Sequence, residues 1–88
     1  VEDPGTGRRV GAVPDATASD CAAALGAAHR AFPAWAATPP RQRARVLRRA
    51  ADRLLDDAER VALALALESG KPLAEARDEV AFAADYLE

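Results

Sequence analysis

The chain has 88 residues, a formal net charge of -2 and 50% hydrophobic residues, enough for one small domain at most. Of its 44 hydrophobic residues 24 are alanine, while Leu, Val and Phe together number 17 and Ile and Met are absent, so a core built from this chain alone is thin. The charge balance argues against nucleic acid or an anionic membrane as partner, no apolar run approaches the roughly 20 residues of a membrane span, and the single cysteine cannot form an internal disulfide.

Residues 1–14 read as a β-hairpin. Asp3-Pro4-Gly5-Thr6-Gly7 makes the turn, Val1 ends one strand, and Arg8 to Val13 forms the other. Gly5-Thr6-Gly7 looks like a phosphate loop only on the surface, because no helix follows to receive a phosphate on its N-terminus.

A first helix is expected over 18–32. Thr17 and Asp20 form the capping pair, and Cys21, Leu25, Ala28, Phe32 and Trp35 recur on one face. Pro33 is expected to end or kink it. Cys21, on that apolar face with no base near it in sequence, reads as a small buried hydrophobe rather than a nucleophile. His29 flanks the face and reads as a surface residue, since no second His exists to build a metal site.

A second helix is expected after Thr38-Pro39-Pro40, with Thr38 as its cap, Pro39 as its first residue and Arg43, Val46, Leu47, Ala50 and Leu54 facing inward. Arg43 on that face needs a carboxylate partner, for which Glu68 is preferred over Glu75. Arg41, Arg45, Arg48 and Arg49 make a basic stripe. A nucleic-acid reading competes there with a solvated or ion-paired face, and the interspersed acids and missing aromatics favour the latter.

Asp56-Asp57 breaks the second helix and can cap a third, which carries Val61, Leu63, Leu65 and Leu67 and stops at Gly70. Gly70-Lys71-Pro72 lacks the upstream glycine and following hydroxyl of a P-loop. Pro72 opens a fourth helix along Leu73, Ala76, Val80, Ala83 or Ala84, and Leu87, still running at Glu88.

Several of these pieces resemble aldehyde dehydrogenases. Asp3-Pro4-x-Thr6-Gly7 followed by Val10 to Pro14 is similar to the family's Asn-Pro-Ala-Thr-Gly hairpin, with Asp3 and Gly5 replacing the usual Asn and Ala. Ala28 to Trp35 resembles its first-helix ending, Arg43 and Leu47 match Arg-x-x-x-Leu, and Glu68 to Ala76 matches the Glu-x-Gly-Lys-Pro segment. The stretch from Trp35 to Leu47 looks most like succinate-semialdehyde dehydrogenases.

The resemblance implies a parent of several hundred residues that oxidises an aldehyde with NAD or NADP. A cysteine thiolate attacks the aldehyde, hydride passes to the nicotinamide, a glutamate-activated water releases the acid, and a main-chain amide and an Asn hold the oxyanion. None of these residues falls here, so the expected catalytic, cofactor-binding and metal residues of this chain number none. Cys21 does not match the nucleophile, and the chain has no Asn. Some members bind a structural monovalent cation, for which Glu79 is the nearest match; the plainer reading of Glu79 is a surface or capping carboxylate.

The expected fold class is thus a mostly α fragment with an N-terminal β-hairpin (1–14) and a helical segment (15–88). That segment is an incomplete part of a Rossmann-type α/β cofactor domain. The expected partners are the remainder of the chain and other subunits of a homo-oligomer, with no nucleic acid and no membrane, in the cytoplasm. A free-standing helical interaction module is the alternative.

Overall fold

A computed structural model describes residues 1–87. Four helices follow one another: α1 (Ala18–Ala37), α2 (Pro40–Asp56), α3 (Ala58–Ser69) and α4 (Leu73–Asp85). Tyr86 and Leu87 form a closing turn, and the expected continuation of α4 to Glu88 reaches outside the described residues.

The expected hairpin is not found, and neither is any part of a Rossmann-type sheet. Among the described residues there is no strand, only an isolated antiparallel bridge between Glu2 and Arg9. The physical reason lies in the turn. The Asp3 carboxylate accepts from the Gly5 amide (2.8 Å) and from Thr6 Oγ1 (2.8 Å), and the Gly7 amide donates to the Asp3 carbonyl at 2.7 Å. Gly7 takes φ 69° to close this loop, a conformation glycine adopts without steric cost. Hydrogen bonds from the Asp3 amide to the Arg8 carbonyl and from the Val10 amide to the Val1 carbonyl tie the ends. A two-stranded ribbon with nothing beneath it does not extend into a ladder.

Helix α1 starts as expected. Thr17 Oγ1 accepts from the Asp20 amide (3.3 Å) and Asp20 Oδ2 accepts from the Thr17 amide (2.8 Å), a complete capping box. It does not stop at Phe32. It runs through Pro33 to Ala37. Proline removes one donor, so the His29 carbonyl loses its intrahelical partner. His29 and Pro33 are exposed, and water can take that place.

Thr38 ends α1 rather than starting α2. Its amide donates to the Trp35 carbonyl at 3.1 Å and its hydroxyl to the Ala34 carbonyl at 2.9 Å. Pro39 is the N-cap of α2, without a side-chain cap, and Pro40 the first helical residue. Asp57 does not cap α3 with its side chain. Its carboxylate instead receives Arg60 Nε at 2.9 Å to each oxygen. Gly70, at φ 71°, ends α3 in the left-handed region as its position predicts.

Helices α2, α3 and α4 pack together, while α1 makes no substantial contact with any of them. The buried residues are Ala51, Ala62, Ala76, Val80 and Ala84. The core is therefore a seam of methyl groups. Leu54, Val61, Leu65 and Leu73 cover it while remaining half-buried. The line expected on α4 is the one observed. On α2 the inward residues are Ala51 and Leu54, and Val46 and Leu47 stay 44% and 42% exposed.

The assembly measures 48 × 33 × 14 Å. Its shortest extent is less than half of either other, so the molecule is a flattened slab. Its radius of gyration is 16.8 Å, against about 12 Å for a compact domain of this length. A slab of this shape leaves much apolar surface exposed, including Leu25, Phe32, Phe82 and Tyr86.

Candidate functional site

The chemistry-bearing residues singled out in the sequence do not converge. Cys21 is exposed on α1, so the expected burial is wrong. The face on which it sits has nothing packed against it. His29 is exposed on the same helix. Among the described residues no three His, Cys, Asp or Glu side chains gather as a metal ion requires, and no helix is long and apolar enough to cross a membrane.

Gly5-Thr6-Gly7 cannot cradle a phosphate. Its two glycine amides and its hydroxyl are already spent on Asp3, and a carboxylate occupies the place an anion would take. Hydrogen bonds from Thr6 and the Gly5 amide hold the Asp3 carboxyl below its ordinary pKa of 3.8. The Gly70 amide is likewise taken by the Ala66 carbonyl at 2.9 Å.

Glu79 meets Lys71 across the start of α4, so an ammonium stands at the carboxylate the resemblance offered to a monovalent cation. A second ion pair links α3 to α4, with Arg77 Nε and Nη2 each donating to Glu59 at 2.8 Å. It holds the Glu59 carboxyl below 4.5. The Arg77–Glu59 pair is exposed, and in the Lys71–Glu79 pair only Lys71 is half-buried, so both contribute little to stability.

Arg43 does not pair with Glu68 or with any other carboxylate among the described residues. Its Nη1 donates to the Ala36 carbonyl (3.1 Å) and the Thr38 carbonyl (3.0 Å). The guanidinium caps the C-terminal end of α1, where the helix dipole and unfilled carbonyls favour a cation. The sequence signal that could have found this is Arg43 standing five residues past Thr38, once α1 is carried through Pro33.

The basic stripe Arg41, Arg45, Arg48 and Arg49 is exposed and solvated. A shallow hollow of about 460 Å³ beside it is lined by Thr38, Gln42, Arg45, Val46, Arg48, Arg49 and Asp52, with no aromatic ring for base stacking.

What the structure does bring together is apolar surface. Val1, Val10 and Val13 face Leu63 and Leu67 across a groove of about 370 Å³. Pro4 fixes the N-terminal loop there, since a Cβ on Gly70 would lie 2.9 Å from Pro4 Cγ. Phe82 and Tyr86 form an edge-to-face pair with centroids 5.0 Å apart, yet are 60% and 78% exposed. Phe32 and Trp35 are exposed as well, while Leu87 is half-buried. Large apolar side chains are thus left exposed on several parts of the molecule.

Comparison with known proteins gives that surface its context. The aldehyde dehydrogenase family model matches residues 1–88. A glutarate-semialdehyde dehydrogenase of Pseudomonas aeruginosa is 42% identical over all 88 residues, and a succinate-semialdehyde dehydrogenase [NADP(+)] of Escherichia coli is 40% identical over the same span. A succinate-semialdehyde dehydrogenase of Paenarthrobacter nicotinovorans is 54% identical over 72 residues, 82% of the chain. The chain spans only 18% of the length of the first two relatives and 16% of the third. No solved structure matches it. With its whole length matched by that one family, the chain belongs to the aldehyde dehydrogenases.

Proposed function

We propose that these residues are the N-terminal structural layer of an NAD(P)-dependent aldehyde dehydrogenase that oxidises a carboxylate-bearing semialdehyde, such as succinate semialdehyde, to the corresponding acid. The observation that carries this reading is the family match over residues 1–88, with relatives named for succinate and glutarate semialdehydes. The nucleophile, the oxyanion donors and the cofactor-binding residues belong to other parts of the polypeptide. Residues 15–88 brace the domain that holds them, in a cytoplasmic homo-oligomer.

The spent amides of Gly5, Gly7 and Gly70 support a scaffold role, because they leave no cradle for a cofactor phosphate. The full-length polypeptide is expected to reduce NAD or NADP in the presence of succinate or glutarate semialdehyde. The isolated 88 residues are expected to do neither that nor bind either nucleotide more tightly than about 1 mM. A full-length polypeptide inert toward both semialdehydes with both nucleotides would contradict the assignment, and saturable nucleotide binding by the 88 residues would contradict the scaffold role.

A further inference from the structure

The fold does not account for the arginines of α2. Successive residues of an α-helix turn by about 100°, so Arg41, Arg45, Arg48 and Arg49 fall within an arc of about 100° over about 12 Å of helix. Leu47, Ala50, Ala51 and Leu54 lie on the opposite side. Packing against that apolar side, where Ala51 is buried and Leu54 half-buried, leaves the arginines in water. None of the four is ion-paired among the described residues. Arg45 stands one turn from Arg41, Arg48 and Arg49, spacings at which like charges repel. Two hollows meet along this ridge. One, of about 460 Å³, takes in Gln42, Arg45, Arg48 and Arg49. The other, of about 430 Å³, takes in Arg41, Arg45 and Arg48. Arg45 and Arg48 are common to both.

We propose that this ridge is a binding site for a chain of contiguous phosphate groups, the chemistry of inorganic polyphosphate. A guanidinium fork matches phosphate oxygens two at a time. A single phosphate meets only the shared pair, Arg45 and Arg48. Further phosphates reach Arg49 in one hollow and Arg41 in the other, so each added link relieves more of the repulsion along the helix. Gln42 adds amide donors, whereas the Thr38 hydroxyl at the rim is spent on the Ala34 carbonyl. Asp52 lines the first hollow without an ion-pair partner and opposes an anion there. No aromatic ring lines either hollow, so a base gains no stacking and the phosphate chain itself is the recognised group. The diphosphate of NAD or NADP is too short to occupy both hollows. This site is independent of the aldehyde chemistry.

Calorimetric titration of the full-length polypeptide with phosphate, pyrophosphate and tripolyphosphate at low ionic strength is the test. Affinity is expected to rise by about tenfold or more from phosphate to tripolyphosphate, and to fall as salt is added. Arg45→Gln combined with Arg48→Gln is expected to weaken tripolyphosphate binding by about tenfold or more. Asp52→Asn is expected to tighten it by about threefold. Arg8→Gln combined with Arg9→Gln removes the same charge from the N-terminal loop and is expected to change it by less than about twofold. All of these positions are exposed, and circular dichroism checks that each variant keeps its helices. Equal weakening by the two double variants would overturn the proposal, because net charge alone would then explain the binding. No saturable binding of tripolyphosphate would overturn it as well. So would ATP or a short RNA duplex binding about tenfold more tightly than tripolyphosphate, by assigning the ridge to a nucleoside or to nucleic acid.

Discussion

Arg43 and Gly70 are the two residues on which the arrangement turns. Arg43 donates to two carbonyls at the end of α1, so Arg43→Ala removes two charge-assisted hydrogen bonds from partly exposed acceptors. The expected cost is about 1–2 kcal/mol, below the 3–5 kcal/mol of a broken buried ion pair. Arg43→Lys is expected to recover about half, because an ammonium can reach one carbonyl but lacks the planar fork. Denaturant melts of the full-length polypeptide check both values. Gly70 combines φ 71° with Pro4 packed against it. Gly70→Ala is expected to cost more than about 1 kcal/mol, since the new Cβ meets both backbone strain and the Pro4 ring. Gly70 was legible as a helix stop from its place after the leucine-rich run. The partner of Arg43 was not. Periodicity shows which face a residue occupies, but the carbonyls it meets became reachable only because α1 extends five residues past the expected end.

At the scale of elements, several local signals are observed as expected, while the expected caps at Thr38 and Asp57 are not, because Thr38 bonds back to Ala34 and Asp57 takes Arg60. The Thr17–Asp20 capping box, the left-handed stop at Gly70 and the Leu73–Ala76–Val80–Ala84 line all depend on residues a turn apart, and all were readable. The C-terminal end of α1 and the N-terminal loop differ from the sequence expectation. Pro33 reads in sequence as a stop or a kink, yet a proline on an exposed helix costs one hydrogen bond, and α1 continues through it to Ala37. The residues around Val10 have β propensity but no neighbouring strand to use it. The capping box yields a pH prediction. Hydrogen bonds from Thr17 hold the Asp20 carboxyl below its ordinary 3.8. A carboxylate with a depressed folded-state pKa stabilises above its unfolded value and loses that contribution as pH falls through the folded one. The helicity of α1 is therefore expected to be flat from neutral pH down to about 5 and to fall below about 4. Asp20→Asn should remove most of that acid dependence, and circular dichroism titration of both forms is the check. Thr17→Ala is expected to cost about 1 kcal/mol at neutral pH.

The whole molecule is governed by its thinness. Alanine-rich helices approach closely and bury a seam of methyl groups, but four alanines and one valine fall far short of the entropy of ordering the chain. The composition already carried this result, because 24 alanines supply helix propensity without supplying core volume. The flattened shape was not legible, since the periodicity of α1 marks an apolar face without saying whether anything lies against it. The most direct test is scanning calorimetry of the isolated 88 residues. A self-sufficient compact domain of this length unfolds in one sharp two-state transition with an enthalpy of about 60 kcal/mol. A core this thin predicts a broad, weakly cooperative transition with a small fraction of that enthalpy. A sharp transition of a monomer near the full value would contradict it.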